Sequence, residues 1–357
     1  MNKIDSISYP IYFNHITNGL DEFISAGKYS RFFILTDEHT GNFCLPYLQE
    51  RLKINNQFDL IEINAGEESK SIDFCVGIWK MLIDFGADRS SLLINLGGGV
   101  VTDLGGFAAS TFKRGIDFIH VPTTLLSQVD ASVGGKTGID IDNIKNIIGT
   151  FTQPKAVFIE HAFLNTLPAR QIKSGLAEML KHGLIADAAY WNLLKNSDLE
   201  NLSPELIRDS IIIKNKVVIA DPTERGLRKI LNFGHTIGHA LESYSLDNDE
   251  NPLTHGEAVV AGMICETYLS HLKAGLSLNE MQEIIDFLLG YYGKYDVVDS
   301  SYAELTSIMK KDKKNQSGKI NCTLLSAIGE SVIDNICTEE ELCDSLKYYS
   351  SLAYERV

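Results

Sequence analysis

Four histidines and a carboxylate offer a set of possible metal ligands, the most specific chemistry this chain can do. His235 and His239, in NFGHTIGHALE, lie four residues apart and so share one helix face, a spacing that can chelate zinc. Glu178, Lys181 and His182, in AEMLKHG, share a face of an earlier helix, and His255 opens another, in THGEAVVAG. Imidazoles combined with a carboxylate form the usual donor set of a catalytic metal site. Spacing alone favours His235 and His239 as the chelating pair. It leaves open whether Glu178, His182 or His255 completes the set.

A second constellation lies upstream, in LLINLGGGVVTDLGGFAASTFKRG and HVPTTLLSQVDASVGGKTGIDIDNIKNIIG. An apolar run ends in Gly97, Gly98 and Gly99, and Asp103 follows within the next helical stretch, Val100–Phe112. A glycine turn between strand and helix presents backbone N–H groups at a positive helix end, which suits a phosphate or pyrophosphate. The spacing is not the G-x-G-x-x-G fingerprint, so a tight turn with no ligand competes with that reading. The chain carries a net charge of −15, which argues against nucleic acid or an anionic membrane as a partner. In so acidic a protein, Lys113, Arg114, Lys136 and Lys145 around glycine-rich turns point to a local anion pocket.

The elements that must position these groups fall into two regions. Phe32–Thr36, Leu60–Ile63, Leu92–Leu96, Phe118–Val121 and Ala156–Ile159 read as strands with helical segments between them, Pro46–Lys53 and Ile72–Phe85 included. Such alternation predicts βαβ units and a mostly parallel sheet, whose ligands bind beyond the carboxyl ends of the strands. Asp37, Glu67 to Lys70, and Gly97 to Asp103 all fall at that edge. After about Leu164 the periodicity becomes helical: Arg170–Ala186, Trp191–Lys195, Pro204–Ala220, Leu231–Tyr244, Gly256–Ala274, Asn279–Leu289 and Tyr302–Lys310. Leu246–Pro252 reads as a surface loop, and Ile320–Leu325 as a late strand. We expect an α/β, Rossmann-like domain over 1–164 and a mainly α-helical domain over 165–357, with the active site in the cleft between them.

The six cysteines show no C-x-x-C pair, no apolar run approaches 18 residues, and the first twenty residues lack a continuous apolar core. A cytoplasmic protein is the simplest expectation.

Taken together, GGGVVTDLGGFAASTFKRG, HVPTTLLSQVDASVGGKTGID, LPARQIKSGLAEMLKHG, LNFGHTIGHALE and THGEAVVAGM resemble the 3-dehydroquinate synthase family, in order, from about Asp37 to Lys314. The resemblance implies a phosphorus–oxygen lyase of the shikimate pathway that uses NAD and a divalent metal, zinc or cobalt. Its substrate would be 3-deoxy-D-arabino-heptulosonate 7-phosphate. The C5 hydroxyl is oxidised, phosphate is eliminated, C5 is reduced again, and an aldol step closes the ring. Position by position, the metal ligands would be Glu178, His235 and His255, with His239 moved to the catalytic and substrate-contacting groups. Cofactor residues would be Asp37, Glu67, Lys70, Gly98, Gly99, Asp103, Thr123 and Thr124, with Phe163 and Thr166 beside them.

The family pattern maps the substrate onto Asp130, Lys136, Lys145, Asn146, Lys181, Lys214, Arg228 and Asn232, of which Asp130, Lys136 and Lys145 also border the cofactor. Lys136, Asn146, Glu178, Lys181, Arg228, Asn232 and His239 would form the catalytic group. Arg114 matches a phosphate contact made across a homodimer interface, and Lys313, in the run KKDKK, matches another substrate contact. A carboxylate and a phosphate on one substrate call for several cations. Taken one at a time, Lys214 on the apolar stretch SIIIKNKVV and the KKDKK run also read as solvated lysines. The segment DASVGG, where DSSVGG is common, and the Glu160–His161 pair depart from the family pattern without removing a charged functional position. Related sugar-phosphate cyclases acting on other substrates, metal-dependent glycerol dehydrogenases and a non-catalytic NAD sensor are the competing readings.

Overall fold

The structure is a computed structural model and describes residues 3–14, 16–52, 58–141, 144–311 and 319–353. The chain forms two compact units. One comprises Met1–Ile172 with Lys214–Pro222, and the other Lys173–Ile213 with Thr223–Val357. Lys214 thus belongs with the first unit, although it lies on the helix Pro204–Ala220.

In the first unit, seven described strands make one sheet in the order β1-β2-β9-β6-β5-β3-β4. They are β1 (Lys3–Asp5), β2 (Pro10–Phe13), β3 (Phe32–Asp37), β4 (Phe58–Ile63), β5 (Leu92–Gly97), β6 (Asp117–Pro122) and β9 (Val157–Ile159). Only β1 and β2 pair antiparallel within it. The chain leaves β3 for β4 on one side and returns to β5 on the other. The crevice beyond the ends of β3 and β5 is therefore a topological switch point, where open α/β sheets bind ligands.

Strand alternation builds a core on each face. Phe33, Leu35 and Leu93 pack with helices Ile72–Asp84 and Gly99–Thr111, while Ile34, Ile94 and Leu96 pack on the opposite side. Within the sheet, buried Asn95 directs Nδ2 at the Nδ1 of buried His120, 3.3 Å away. Burial depresses the His120 imidazole to about 3, so the ring is neutral.

The stretch after β6 corrects one expectation. In place of a helix, the chain makes a π-helical turn, Ser127–Ala131, and then an antiparallel hairpin, β7 (Lys136–Ile141) with β8 (Ile144–Phe151). Glycines drive this choice. A Cβ on Gly149 would lie 2.1 Å from the Thr137 carbonyl oxygen, and one on Gly138 2.9 Å from that of Ile148, so the close approach of the strands needs glycine there. In the segment Pro46–Lys53 the described residues form a helix over Leu45–Gln49, and Lys53 lies outside the described residues.

The second unit is mainly helical, as expected, with Ala188–Lys195, His235–Asn248, His255–Lys273, Leu278–Tyr292, Tyr302–Lys311 and Glu339–Ser351. The helix Ala169–Ala186 enters it at Lys173. Thr254 with Glu257, Ser277 with Glu280 and Thr338 with Glu341 form capping boxes, which fix three of these starts. A hairpin, β10 (Ile320–Ala327) with β11 (Glu330–Cys337), completes the unit. β10 was legible in the sequence; β11 and the last helix were not. The His235 helix starts four residues later than periodicity predicts, because a 3-10 segment, Leu227–Asn232, and a left-handed Gly234 (φ 79°) precede it. It also runs on to Asn248, into the stretch read as a loop. No described helix is long and apolar enough to cross a membrane.

Candidate functional site

Three helices of the second unit bring the metal donors together. Glu178 sits inside the helix Ala169–Ala186, while His235 and His255 are the first residues of theirs. Glycines permit the approach. A Cβ on Gly256 would lie 2.2 Å from the Ser174 carbonyl oxygen, and one on Gly262 would lie 2.0 Å from that of Gly234. Glu266, fully buried, accepts the backbone N–H groups of Gly234, Thr236 and Ile237 at 2.7, 3.1 and 3.3 Å, fixing the start of the His235 helix.

The resulting arrangement could hold a metal ion. His235 Nε2 and His255 Nε2 lie 3.6 and 3.7 Å from the same oxygen of Glu178. These separations are long for hydrogen bonds and close to the roughly 3.3 Å that neighbouring ligands of a tetrahedral zinc show. The tautomers agree. Each Nδ1 faces an acceptor, the Phe233 carbonyl at 3.1 Å for His235 and Glu242 Oε2 at 3.2 Å for His255, which leaves each Nε2 a lone pair. Burial alone would lower the His255 imidazole, but Glu242 and Glu178 outweigh it and raise it to about 10. Such a negative pocket calls for positive charge at its centre, which a divalent cation supplies with both rings neutral. A carboxylate and two neutral imidazoles thus fit a divalent metal.

His239 stands one turn beyond His235, with ring centroids 5.0 Å apart, and it groups with Glu242 and His255 in a second possible donor set. Beside the His235–His239 pair that spacing favours, tertiary packing groups His235 with His255, twenty residues away, about Glu178. Lys181, one turn from Glu178, places its ammonium on the Glu178 carboxylate. Lys181 and Arg228 are each only 1% exposed. Asn232 donates to Glu224 at 3.1 Å.

In the first unit, Gly97 ends β5, and Gly99 opens the 13-residue helix that carries Asp103. Lys70 Nζ lies 2.7 Å from Asp103 and 4.0 Å from Glu67. Burial opposes the Lys70 charge, yet Asp103, Glu67 and Asp140 together hold its ammonium well above the ordinary lysine range. Lys145 bonds Glu67 at 2.9 Å and faces Asp140 at 3.6 Å. Asp140 accepts the backbone N–H of left-handed Asn146 at 2.6 Å, and its own N–H donates to the Lys70 carbonyl at 2.8 Å. Asp140 thus ties the hairpin bearing Lys145 and Asn146 to the Lys70 loop. Thr123 and Thr124 follow β6, and the Thr123 hydroxyl is buried with no oxygen or nitrogen partner among the described residues. Asp37 ends β3, and its Oδ1 caps the following helix at Thr40 N. Phe163 and Thr166 lie on a 3-10 turn after β9, and Lys136 opens β7. Lys214 Nζ donates to the Asp130 carboxylate and carbonyl, both at 2.5 Å. Arg114 is exposed in a left-handed conformation (φ 70°) beside Lys113. The open helix start at a glycine turn fits a dinucleotide. Lys313 lies outside the described residues.

Sequence reasoning missed Glu242, Glu266 and Asp140. Glu242 alone left a trace, seven residues after His235 and so on the same helix face.

Comparison with known proteins finds two family models, 3-dehydroquinate synthase N-terminal over residues 60–174 and 3-dehydroquinate synthase C-terminal over 175–315. The 3-dehydroquinate synthase of Parabacteroides distasonis is 42% identical over 334 residues, 92% of this chain and 94% of that protein. That of Clostridium botulinum is 41% identical, over 90% and 91%. A 2-epi-5-epi-valiolone synthase from Streptomyces hygroscopicus, solved with NAD+ and Zn2+, superposes with a TM-score of 0.84 at 26% identity, covering 97% of this chain and 98% of its own. A 2-deoxy-scyllo-inosose synthase, solved with carbaglucose-6-phosphate, NAD+ and Co2+, gives a TM-score of 0.85 at 22% identity over 97% and 100%.

Proposed function

The chain belongs to the 3-dehydroquinate synthase family, and from that premise we propose how its residues convert 3-deoxy-D-arabino-heptulosonate 7-phosphate into 3-dehydroquinate and phosphate. The observation that carries the reading is the pair of Nε2 atoms at 3.6 and 3.7 Å from one Glu178 oxygen. Glu178, His235 and His255 would hold zinc or cobalt, with coordination positions left for substrate oxygens. NAD would take the switch-point crevice, its pyrophosphate at Gly98 and Gly99, its ribose on Asp37 and its remaining contacts on Glu67, Lys70, Asp103, Thr123, Thr124, Phe163 and Thr166. When bound, the metal supplies Lewis acidity at a substrate hydroxyl and NAD supplies a hydride acceptor regenerated within the turnover.

The chain's own groups bind and orient the substrate. Lys181, whose ammonium rests on the Glu178 carboxylate, and buried Arg228 bring positive charge that suits a substrate with a carboxylate and a phosphate. Lys136, Lys145, Asn146, Asn232 and Lys214, the last held on Asp130, would add hydrogen bonds to its hydroxyls and anionic groups. His239, beside the donor set, is the residue best able to hold or pass a proton at the substrate's oxygens. We take the working form to be a cytoplasmic homodimer. The exposed Arg114 is available to a partner subunit's phosphate, and six free thiols suit a reducing compartment.

The test is phosphate release from the heptulosonate phosphate, dependent on NAD, abolished by a chelator and restored by zinc or cobalt. Turnover of sedoheptulose 7-phosphate, with none of the heptulosonate phosphate, would assign a valiolone-type cyclase instead.

A further inference from the structure

The β10–β11 hairpin lies beyond residue 315, where the match to the C-terminal family model ends. It nevertheless grips three segments that carry functional residues in the second unit. The buried Thr323 hydroxyl donates to the Lys229 carbonyl at 2.8 Å. The Lys229 ammonium reaches both carboxylate oxygens of Asp334, at 2.8 and 3.0 Å. Lys229 follows Arg228 and lies three residues before Asn232, so the hairpin holds the middle of the segment that aims both.

At the start of the His235 helix, the Thr236 hydroxyl donates to the Asn321 carbonyl at 3.3 Å. At the turn of the hairpin, Gly329 N–H donates to the Leu184 carbonyl at 2.8 Å and the Ser331 hydroxyl to that of Ile185 at 3.0 Å, at the end of the Glu178 helix. Gly329 has φ 86°, and a Cβ there would lie 2.5 Å from Ala188 N, so this docking needs glycine.

Two features show that the grip is built for position. The 3-10 segment Leu227–Asn232 has six residues and the poorer hydrogen-bond geometry of its class, so its shape must be imposed from outside. The pairing of β10 with β11 advances two residues on one strand, Cys322 to Leu324, against three on the other, Asn335 to Val332. Asp334 occupies that bulge with φ 60°, and bulges re-aim side chains, here toward Lys229.

We propose that the β10–β11 hairpin is a positioning element for substrate binding, with Thr323 and Asp334 setting the orientation of Arg228 and Asn232 through Lys229. The inference rests on the assignment of Arg228 and Asn232 to the substrate made above. Thr323→Val keeps the shape and removes the hydroxyl, while Thr323→Ser restores it. In the full-length enzyme with metal and saturating NAD, Thr323→Val should raise the KM for the heptulosonate phosphate about tenfold. The KM for NAD and the bound zinc should stay unchanged, and Thr323→Ser should return the substrate KM to near wild type.

A folded Thr323→Val enzyme with unchanged substrate KM would overturn the proposal. So would parallel losses in NAD affinity and zinc content, which would signal general loosening. If Thr323→Val does not fold, Asp334→Asn on the exposed side takes its place and should raise the same KM about threefold; no change there overturns the proposal. Arg228→Lys separates the two levels. If it leaves the substrate KM untouched, the assignment of Arg228 falls and the hairpin's role with it. If Arg228→Lys raises KM and Thr323→Val does not, only the hairpin's role falls.

Discussion

Glu242 Oε2 lies 3.2 Å from His255 Nδ1, so the carboxylate fixes the ring that turns Nε2 toward Glu178. A partner of this kind orients a metal-binding imidazole and raises its basicity. Glu242→Gln, which keeps an acceptor but loses the charge, should weaken zinc binding about tenfold, and Glu242→Leu up to about 100-fold. Chelator competition on the purified protein measures both. Equal affinities in all three proteins would show that His255 is oriented without Glu242.

His235 and His239 should separate by metal content. His235→Ala should lose bound zinc, because its Nε2 faces the Glu178 oxygen at 3.6 Å. His239→Ala should keep most of the zinc and lose activity by about 100-fold, the scale of a lost proton-transfer group. Metal analysis of the two variants decides; equal loss would return His239 to the ligand set.

Lys70 is buried and bonded to Asp103 at 2.7 Å. Lys70→Met leaves the partly buried Asp103 carboxylate without its ammonium partner. We expect NAD binding to weaken at least about tenfold, a loss of about 1.4 kcal/mol in affinity, while zinc content holds. NAD titration with parallel metal analysis is the measurement, and wild-type NAD affinity would remove Lys70 from the cofactor residues.

Stability should fall on acidification in part through His120. Its folded-state value, about 3, lies below the ordinary 6.5, so the unfolded chain binds the extra proton between those limits. The neutral ring therefore contributes stability above about pH 6.5 that is lost as pH falls toward 3, by at most about 1.4 kcal/mol per pH unit. His120→Asn, which can still accept from Asn95, should flatten the slope of unfolding free energy against pH between 6.5 and 4.5. Denaturant unfolding of both proteins across that range checks this, and identical slopes would exclude His120 as a contributor.

Much of the architecture was legible because it follows local rules. Alternating apolar strands and amphipathic helices marked the α/β region, and the apolar run closing on Gly97 to Gly99 marked the helix start at the switch point. The β7–β8 hairpin escaped because KTGIDI and IKNIIGTF mix glycine and polar residues, and Gly149 serves a close strand approach that no spacing rule announces. β1 and β2 are three and four residues long, too short for a periodic signal.

The sequence by itself determined the donor types, the family they resemble and the elements that carry them. It could not choose a partner for His235. Four-residue spacing on one helix pointed to His239, and the structure adds a grouping of His235 with His255 about Glu178. That choice depends on three helices meeting where Gly256 and Gly262 have no side chain to keep them apart. It also depends on the Phe233 carbonyl and the Glu242 carboxylate, which accept hydrogen bonds from Nδ1 and leave each Nε2 free to face Glu178. Local pattern is a property of neighbours along the chain, while a ligand set is a property of side-chain direction after packing.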